Sequence, residues 1–313
     1  METTVHGTAD NPQRSSFRVR TYPAIPAPVY FEAESDLGLD LDSSALIRAI
    51  GIGRTGRRNA ELLARKVPGM TCHEIIPAPH AGNDCEELEC LLTAIGETDL
   101  AFVLAGADDK GGNAARAIGT VPRARPALTI AVVADAGGAG TSSGFFPGEE
   151  GGWYDTLFGV SEQSLPEQDE PRLLQREELA GYAMRHLVGT VTTLITHMSG
   201  ICIDFADIRS IMLSGKVGSL GVGIDSGPTR GAAAALRALD RLKAQGVSIA
   251  EAKGVLVAVH GSSTLTMDEF DDASRVIHGA VDEDANIVVG LVSEEQAGGN
   301  VKVTVMCTHG IRR

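Results

Sequence analysis

The run Cys202-Ile203-Asp204-Phe205-Ala206-Asp207-Ile208-Arg209 places two carboxylates three residues apart, just after a long helix-compatible stretch. On a helical turn that spacing puts Asp204 and Asp207 on one face, an arrangement of paired carboxylates. The same spacing suits a plain helix start, because acids are favoured at the positive end of the helix dipole. A second stretch with chemical potential is Gly51-Ile52-Gly53-Arg54-Thr55-Gly56. Glycines at 51, 53 and 56 permit positive φ and close backbone approach, so that amides at the start of a helix can face an anion. Arg54, Arg57 and Arg58 add positive charge beside that turn. The alternative is an ordinary tight strand-to-helix turn, which occurs throughout α/β proteins. A third stretch, Gly106-Ala107-Asp108-Asp109-Lys110-Gly111-Gly112, follows an apolar segment and mixes glycines with charge.

The elements that must position these residues alternate between two periodicities. Ala45–Ile52, Ala101–Ala105, Leu128–Ala134 and Thr156–Val160 read as buried strands. A helix is predicted from about Arg57 to Arg65. Leu88, Leu91, Leu92 and Ile95 mark an amphipathic helix stopped by Gly96. Gln175–Ser199 is continuously helix-compatible apart from Gly181 and Gly189. Farther on, Gly218–Ile224, Gly254–Val259, Asn286–Leu291 and Val301–Thr308 read as strands. Thr229–Gln245 is an Ala-rich helix, and Thr266-Met267-Asp268-Glu269 is a capping box opening another. Strands alternating with helices imply a parallel, doubly wound sheet. Residues 1 to about 42 show no sustained period and read as a flexible arm.

Bulk properties narrow the function classes. The chain has 313 residues, 37 of them glycine, enough for one large or two ordinary domains. Its net charge of −14 argues against non-specific nucleic-acid binding. No apolar run approaches the roughly 20 residues that span a bilayer, and no signal pattern opens the chain, so a cytoplasmic protein is expected. The five cysteines form an odd set, which argues for reduced thiols. Cys72, His73, His80, Cys85 and Cys90 cluster loosely, but their spacing fits no paired ligand motif, so no metal site is expected.

From Leu194-Ile195-Thr196 through Met212 the chain resembles FtsZ, the bacterial cell-division GTPase of the tubulin superfamily, around its synergy loop and the following helix. Further matching segments follow in order: Gly221–Ser226, Gly254-Val255-Leu256-Val257, Leu265–Phe270, Ala285–Gly290 and Val301–Val305. Several short motifs in the right order are far more specific than one glycine pattern. The resemblance implies a tubulin/FtsZ-like α/β fold. Residues 1–43 would be an arm and 44–174 a GTPase-like domain with a doubly wound parallel sheet. A central helix at 175–199 and a smaller α/β C-terminal domain at 200–313 would follow. It also implies a filament-forming cytoskeletal protein in which Asp204 and Asp207 act in trans on GTP held by the next subunit. The residue usually found just ahead of that pair is Asn; here it is Cys202.

The implied nucleotide pocket is degenerate. It would comprise Gly51, Gly53, Gly56, Arg58, Gly106, Lys110 and Gly112. The family's phosphate loop, Gly-Gly-Gly-Thr-Gly-Thr-Gly, falls on Asp108–Ala114, where only Gly112 matches. A carboxylate near 4 Å from a phosphate oxygen costs on the order of 4 kcal/mol at an effective dielectric of about 20. The ribose-contacting loop expected after Ile75 reads Pro77-Ala78-Pro79-His80, and the guanine-reading Asn of the central helix falls on Gly181. The reading is therefore a divergent FtsZ-like protein with weak or absent GTP or GDP binding, and Mg only where nucleotide binds. Its expected partners are FtsZ, another tubulin-like subunit or itself, with capping, seeding or regulation as the outcome. Two alternatives stay open: an active GTPase whose phosphate contacts are remodelled around Arg54, Arg57, Arg58 or Lys110, and a scaffold outside filaments.

Overall fold

The computed structural model describes residues 2–5, 17–25, 45–76, 98–106, 127–135, 154–166, 176–196 and 203–310. Its strands are β1 (Glu2–Val5), β2 (Phe17–Tyr22), β3 (Ile47–Gly51), β4 (Met70–Ile76), β5 (Leu100–Gly106), β6 (Leu128–Ala134), β7 (Thr156–Val160), β8 (Val217–Ser226), β9 (Gly254–Gly261), β10 (Asn286–Ser293) and β11 (Asn300–His309). Its α-helices are α1 (Gly53–Ala64), α2 (Arg176–Thr196), α3 (Phe205–Leu213), α4 (Arg230–Ala244) and α5 (Met267–His278). The strands form one eleven-stranded sheet in the order β1-β2-β4-β3-β5-β6-β7-β8-β11-β9-β10.

The first half is the doubly wound arrangement, with β4, β3, β5, β6 and β7 all parallel. Strands β5 and β6 are buried along their whole length, as apolar runs covered on both faces require. Two features differ from the sequence reading. Phe17–Tyr22, assigned to the arm, is a strand paired antiparallel with β4, and Glu2–Val5 pairs with it in turn. Met70–Ile76 is also a strand, and its partners explain it. Met70 and Cys72 reach the core, while His73 and Glu74 are buried polar residues that strand periodicity alone does not flag.

The second half is a mixed sheet with two different faces. Val301, Val303, Val305 and Cys307 of β11 alternate with Thr304 and Met306. The first set, with Val255, Val257 and Val259, packs under α4 and α5 through Ala234, Ala238, Leu242, Phe270, Ala273 and Ile277. The other face, with Leu256, Ala258 and Met306, joins the core around α2 and α3. Helix α2 is buried on several sides through Leu179, Ala183, Met184, Leu187, Val188, Val191 and Leu194, because both halves pack on it.

The two halves share little backbone pairing. Strands β7 and β8 meet only at Leu157↔Val217 and Phe158↔Gly218. The Phe158 ring lies where a Cβ on Gly218 would stand, 2.5 Å from its nearest atom, so that glycine seats the ring. Helix α5 opens on the expected box, with Thr266 accepting from the Glu269 amide at 3.3 Å and Glu269 accepting from the Thr266 amide at 2.9 Å. Arg230 at the start of α4 reaches the same carboxylate and the carbonyls of Thr264 and Gly299, which locks the two helix starts together.

Candidate functional site

Asp204 is the N-cap of α3. Its backbone is extended (φ −70°, ψ 146°) and its carboxylate accepts from the Ala206 amide at 3.2 Å. Asp207 stands in the first turn, and both residues are exposed. The helix under them is fixed from below. Ile208, Ile211 and Met212 are buried, and Thr308 of β11 donates to the Ile211 carbonyl at 3.0 Å. Ile203 fills the notch that Gly290 leaves on β10, where a Cβ would collide with its side chain. Asn286 donates to Ser210 at 2.8 Å and ties α3 to the start of β10. The capping role predicted as the plain alternative is real. It engages one oxygen of Asp204 and leaves the pair's charge facing outward on a rigid element.

The glycine turn is equally well defined. Gly53 has φ of +68°, the left-handed conformation that lets the chain enter α1. A Cβ on Gly51 would stand 2.5 Å from the Gly56 carbonyl, and one on Gly56 would run into the Leu104 carbonyl. A Cβ on Gly106 would be 2.7 Å from the Thr55 side chain. These glycines therefore serve close packing of α1 against β3 and β5, with Ile52 donating to the Leu104 carbonyl at 2.9 Å. The helix start still presents its amides at the carboxyl ends of β3 and β5, the crevice where open α/β sheets bind ligands.

Arg58 does not stand alone at that crevice. It pairs with Glu178 of α2 at 2.9 Å. Arg57 lies close enough to act on Glu74, whose carboxyl is raised from the usual carboxylate range, mainly by burial. Lys110 and Gly112, with Asp108 and Asp109, lie outside the described residues, as do Pro77–His80, the Leu88–Ile95 helix, Cys85, Cys90 and Cys202.

Sequence reading missed what stands beside Gly181. Asn59 of α1 is buried, donates to the Thr55 carbonyl at 2.8 Å and accepts from the Arg185 guanidinium. A Cβ on Gly181 would lie 3.0–3.1 Å from that amide and 3.4 Å from Arg185. Arg185 also lies over the Tyr182 ring, 5.9 Å from its centroid. The only advance signal was glycine inside a long helix, which costs roughly 1 kcal/mol against Ala and so asks for a reason. The chain's own Asn59 and Arg185 stand beside Gly181 and use each other's hydrogen bonds.

Comparison with known proteins agrees with the elements. Residues 216–311 match the description of the FtsZ family, C-terminal domain. The chain is 30% identical over 253 residues to the cell division protein FtsZ of Rhizobium radiobacter, covering 75% of this chain and 42% of that protein. Against the mitochondrial division protein fszA of Dictyostelium discoideum it is 29% identical over 237 residues, covering 71% and 44%. The fold of an empty FtsZ dimer from M. jannaschii superposes with a TM-score of 0.66 at 22% identity, covering 86% of this chain and 89% of that one. The chain belongs to the FtsZ/tubulin family.

As an FtsZ relative it spans less than half the length of these two curated proteins. Its FtsZ-like fold follows from the superposition. Among the described residues, no helix is long and apolar enough to cross a membrane. No group of three or more His, Cys, Asp or Glu among them is arranged to hold a metal ion.

Proposed function

We propose that this FtsZ-like protein acts through filament-type contacts and presents two unequal ends. At one end, Asp204 and Asp207 meet the nucleotide pocket of a GTP-loaded FtsZ or tubulin-like neighbour, where they would orient the attacking water. At the other end, its own crevice holds guanine nucleotide weakly or not at all, so the next subunit finds a poor site. Such a molecule caps, seeds or regulates assembly. The observation that carries this reading is the contrast between the two sites: the acid pair is exposed on a helix held from below, while Asn59 and Arg185 stand beside Gly181. The chain's own GTP hydrolysis, and any Mg that would accompany nucleotide, belong to the competing reading of a remodelled GTPase.

The test mixes the purified protein with GTP-loaded FtsZ and follows phosphate release and pelleted polymer. An effect on either is expected, and it should be lost in the double variant Asp204→Asn, Asp207→Asn. Asn is as good an N-cap as Asp, so α3 stays formed while the charge goes. No change in assembly or turnover, with no self-assembly, overturns the proposal. Stoichiometric guanine nucleotide carried through purification would remove the weak-pocket half and favour the remodelled GTPase.

A further inference from the structure

A chain of polar groups crosses the seam between α2 and the second half. His186 of α2 lies 2.8 Å, through Nε2, from the Thr304 hydroxyl of β11. The same hydroxyl lies 3.2 Å from Nε2 of His260 on β9. Nδ1 of His260 faces the Glu294 carboxylate at 3.5 Å, and the Lys302 ammonium stands 3.5 Å from the same oxygen. The two imidazoles are neighbours, with centroids 5.6 Å apart, and the Tyr182 ring stacks on His186 with centroids 6.5 Å apart. Thr304 is fully buried and His260 is 4% exposed.

While both imidazoles are neutral, one proton arrangement serves each of these contacts. An ionised carboxylate only accepts, so Nδ1 of His260 must carry its proton toward Glu294. Nε2 of His260 then holds a lone pair and accepts from the Thr304 hydroxyl. The hydroxyl oxygen in turn accepts from Nε2–H of His186. The reverse order sets the bare Nδ1 of His260 against a carboxylate, acceptor to acceptor. A proton added to His260 turns both its nitrogens into donors and forces Thr304 to donate to His186, which must then give up its Nε2–H for the other tautomer; a proton on both rings leaves the buried Thr304 hydroxyl proton with no acceptor in the chain. A proton added to His186 places a cation beside His260 and Lys302, with Glu294 as the one opposing charge.

We propose that His186, Thr304, His260 and Glu294 form a proton-sensitive latch: while both imidazoles are neutral it holds α2 against β9 and β11, and proton uptake releases the helix from the sheet. The electrostatics run the same way. Burial holds both imidazoles below their ordinary value, with the neighbouring His260 and Lys302 adding to the effect at His186. Burial lowers His260 despite its bond to Glu294. Glu294 itself is held down to about 2, chiefly by its contact with His260 and also by Lys302, so it stays ionised while the histidines titrate. The released state binds protons that the latched state refuses. Latching is therefore complete above about pH 6.5 and lost as pH falls below it. The latch is independent of the acid face and of nucleotide.

The experiment is amide hydrogen exchange of α2 and β11 in the full chain between pH 6 and 5, corrected for intrinsic exchange. Each histidine protonated only in the released state makes opening about tenfold easier per pH unit. Protection should fall by well over tenfold in the unmodified chain and by about tenfold or less in His186→Gln or His260→Gln. In the double variant it should be nearly flat. A local readout is needed because His73, lowered to about 4 by burial and Arg48 in the first half, biases global stability in the same direction. Should a variant not fold, the imidazole nitrogen signals of the unmodified protein carry the test. They should show His260 protonated at Nδ1 and His186 at Nε2, both neutral at pH 6. The same pH slope in the double variant, or either ring protonated at pH 6 with α2 still protected, overturns the latch.

Discussion

Gly56 sits where α1 crosses β5, and a methyl group there would meet the Leu104 carbonyl, which cannot move without breaking the sheet. Gly56→Ala is expected to cost about 1–3 kcal/mol or more in urea unfolding, the penalty of overpacking a close contact. Gly181 poses a subtler case. Ala gains about 1 kcal/mol of helix propensity over Gly, yet its methyl would press on an Asn59 amide held by two hydrogen bonds. Gly181→Ala should therefore fail to stabilise the protein, and a clear gain would show that the Asn59–Arg185 pair is loose. Cys72 and Cys307 are buried free thiols pushed up to about 12, chiefly by burial. Both should resist a thiol reagent at pH 8 until the chain unfolds, as peptide mapping would record, because the thiolate is the reactive form. At this scale the glycine spacing was legible in the sequence, but what each missing Cβ made room for was not. That depended on Leu104, Thr55 and Asn59, which are distant from their glycines in sequence or belong to another turn.

Helix α5 is the element the sequence defined best. Its capping box and its Phe270–Ala273–Ile277 face are both as predicted. What the sequence did not reveal is that the Glu269 of that box also serves Arg230 of α4, at 2.7 Å. Removing the carboxylate in Glu269→Ala leaves the Arg230 guanidinium with only its carbonyl and hydroxyl partners, with an expected loss of about 1–3 kcal/mol in urea unfolding. The pH dependence follows from the same pair. Arg230 holds the Glu269 carboxyl down to about 2. Its contribution is therefore present above about pH 4.5 and lost as pH falls toward 2. Glu269→Gln should flatten the acid limb of a urea-midpoint series between pH 5 and 3; an unchanged limb would mean the pair is not coupled to folding. Strand β4 marks the opposite case. His73 and Glu74 sit at buried strand positions because Arg48, Thr21, Tyr22 and Arg20 partner them. The partners lie on β2 and β3, 52 and 25 residues away in the chain, so no local pattern announces it.

For the molecule as a whole, the division of labour is between two halves packed on α2 and joined in the sheet by two residue pairs. With so little ladder between them, side chains on α2 decide how the halves sit, and the His186–Thr304–His260 chain lies on that seam. The acid face belongs to this scale too. Asp204→Asn with Asp207→Asn should leave the unfolding midpoint within about 0.5 kcal/mol, as exposed substitutions do, while abolishing any effect on the GTP turnover of an added FtsZ. A large stability loss would instead show that the two negative charges themselves hold α3 in place. The sequence by itself determined the order of strands and helices in the second half, the start of α5 and the position of the Asp204–Asp207 face, because periodicity, caps and short motifs are local signals. Only the tertiary structure decided that residues 17–22 extend the sheet beyond β4, that the glycines serve packing, that Asn59 and Arg185 stand beside Gly181 and that two histidines share one hydroxyl. Each of these is set by groups distant in sequence meeting in a dry interior, where shape and unmet hydrogen bonds outweigh local propensity.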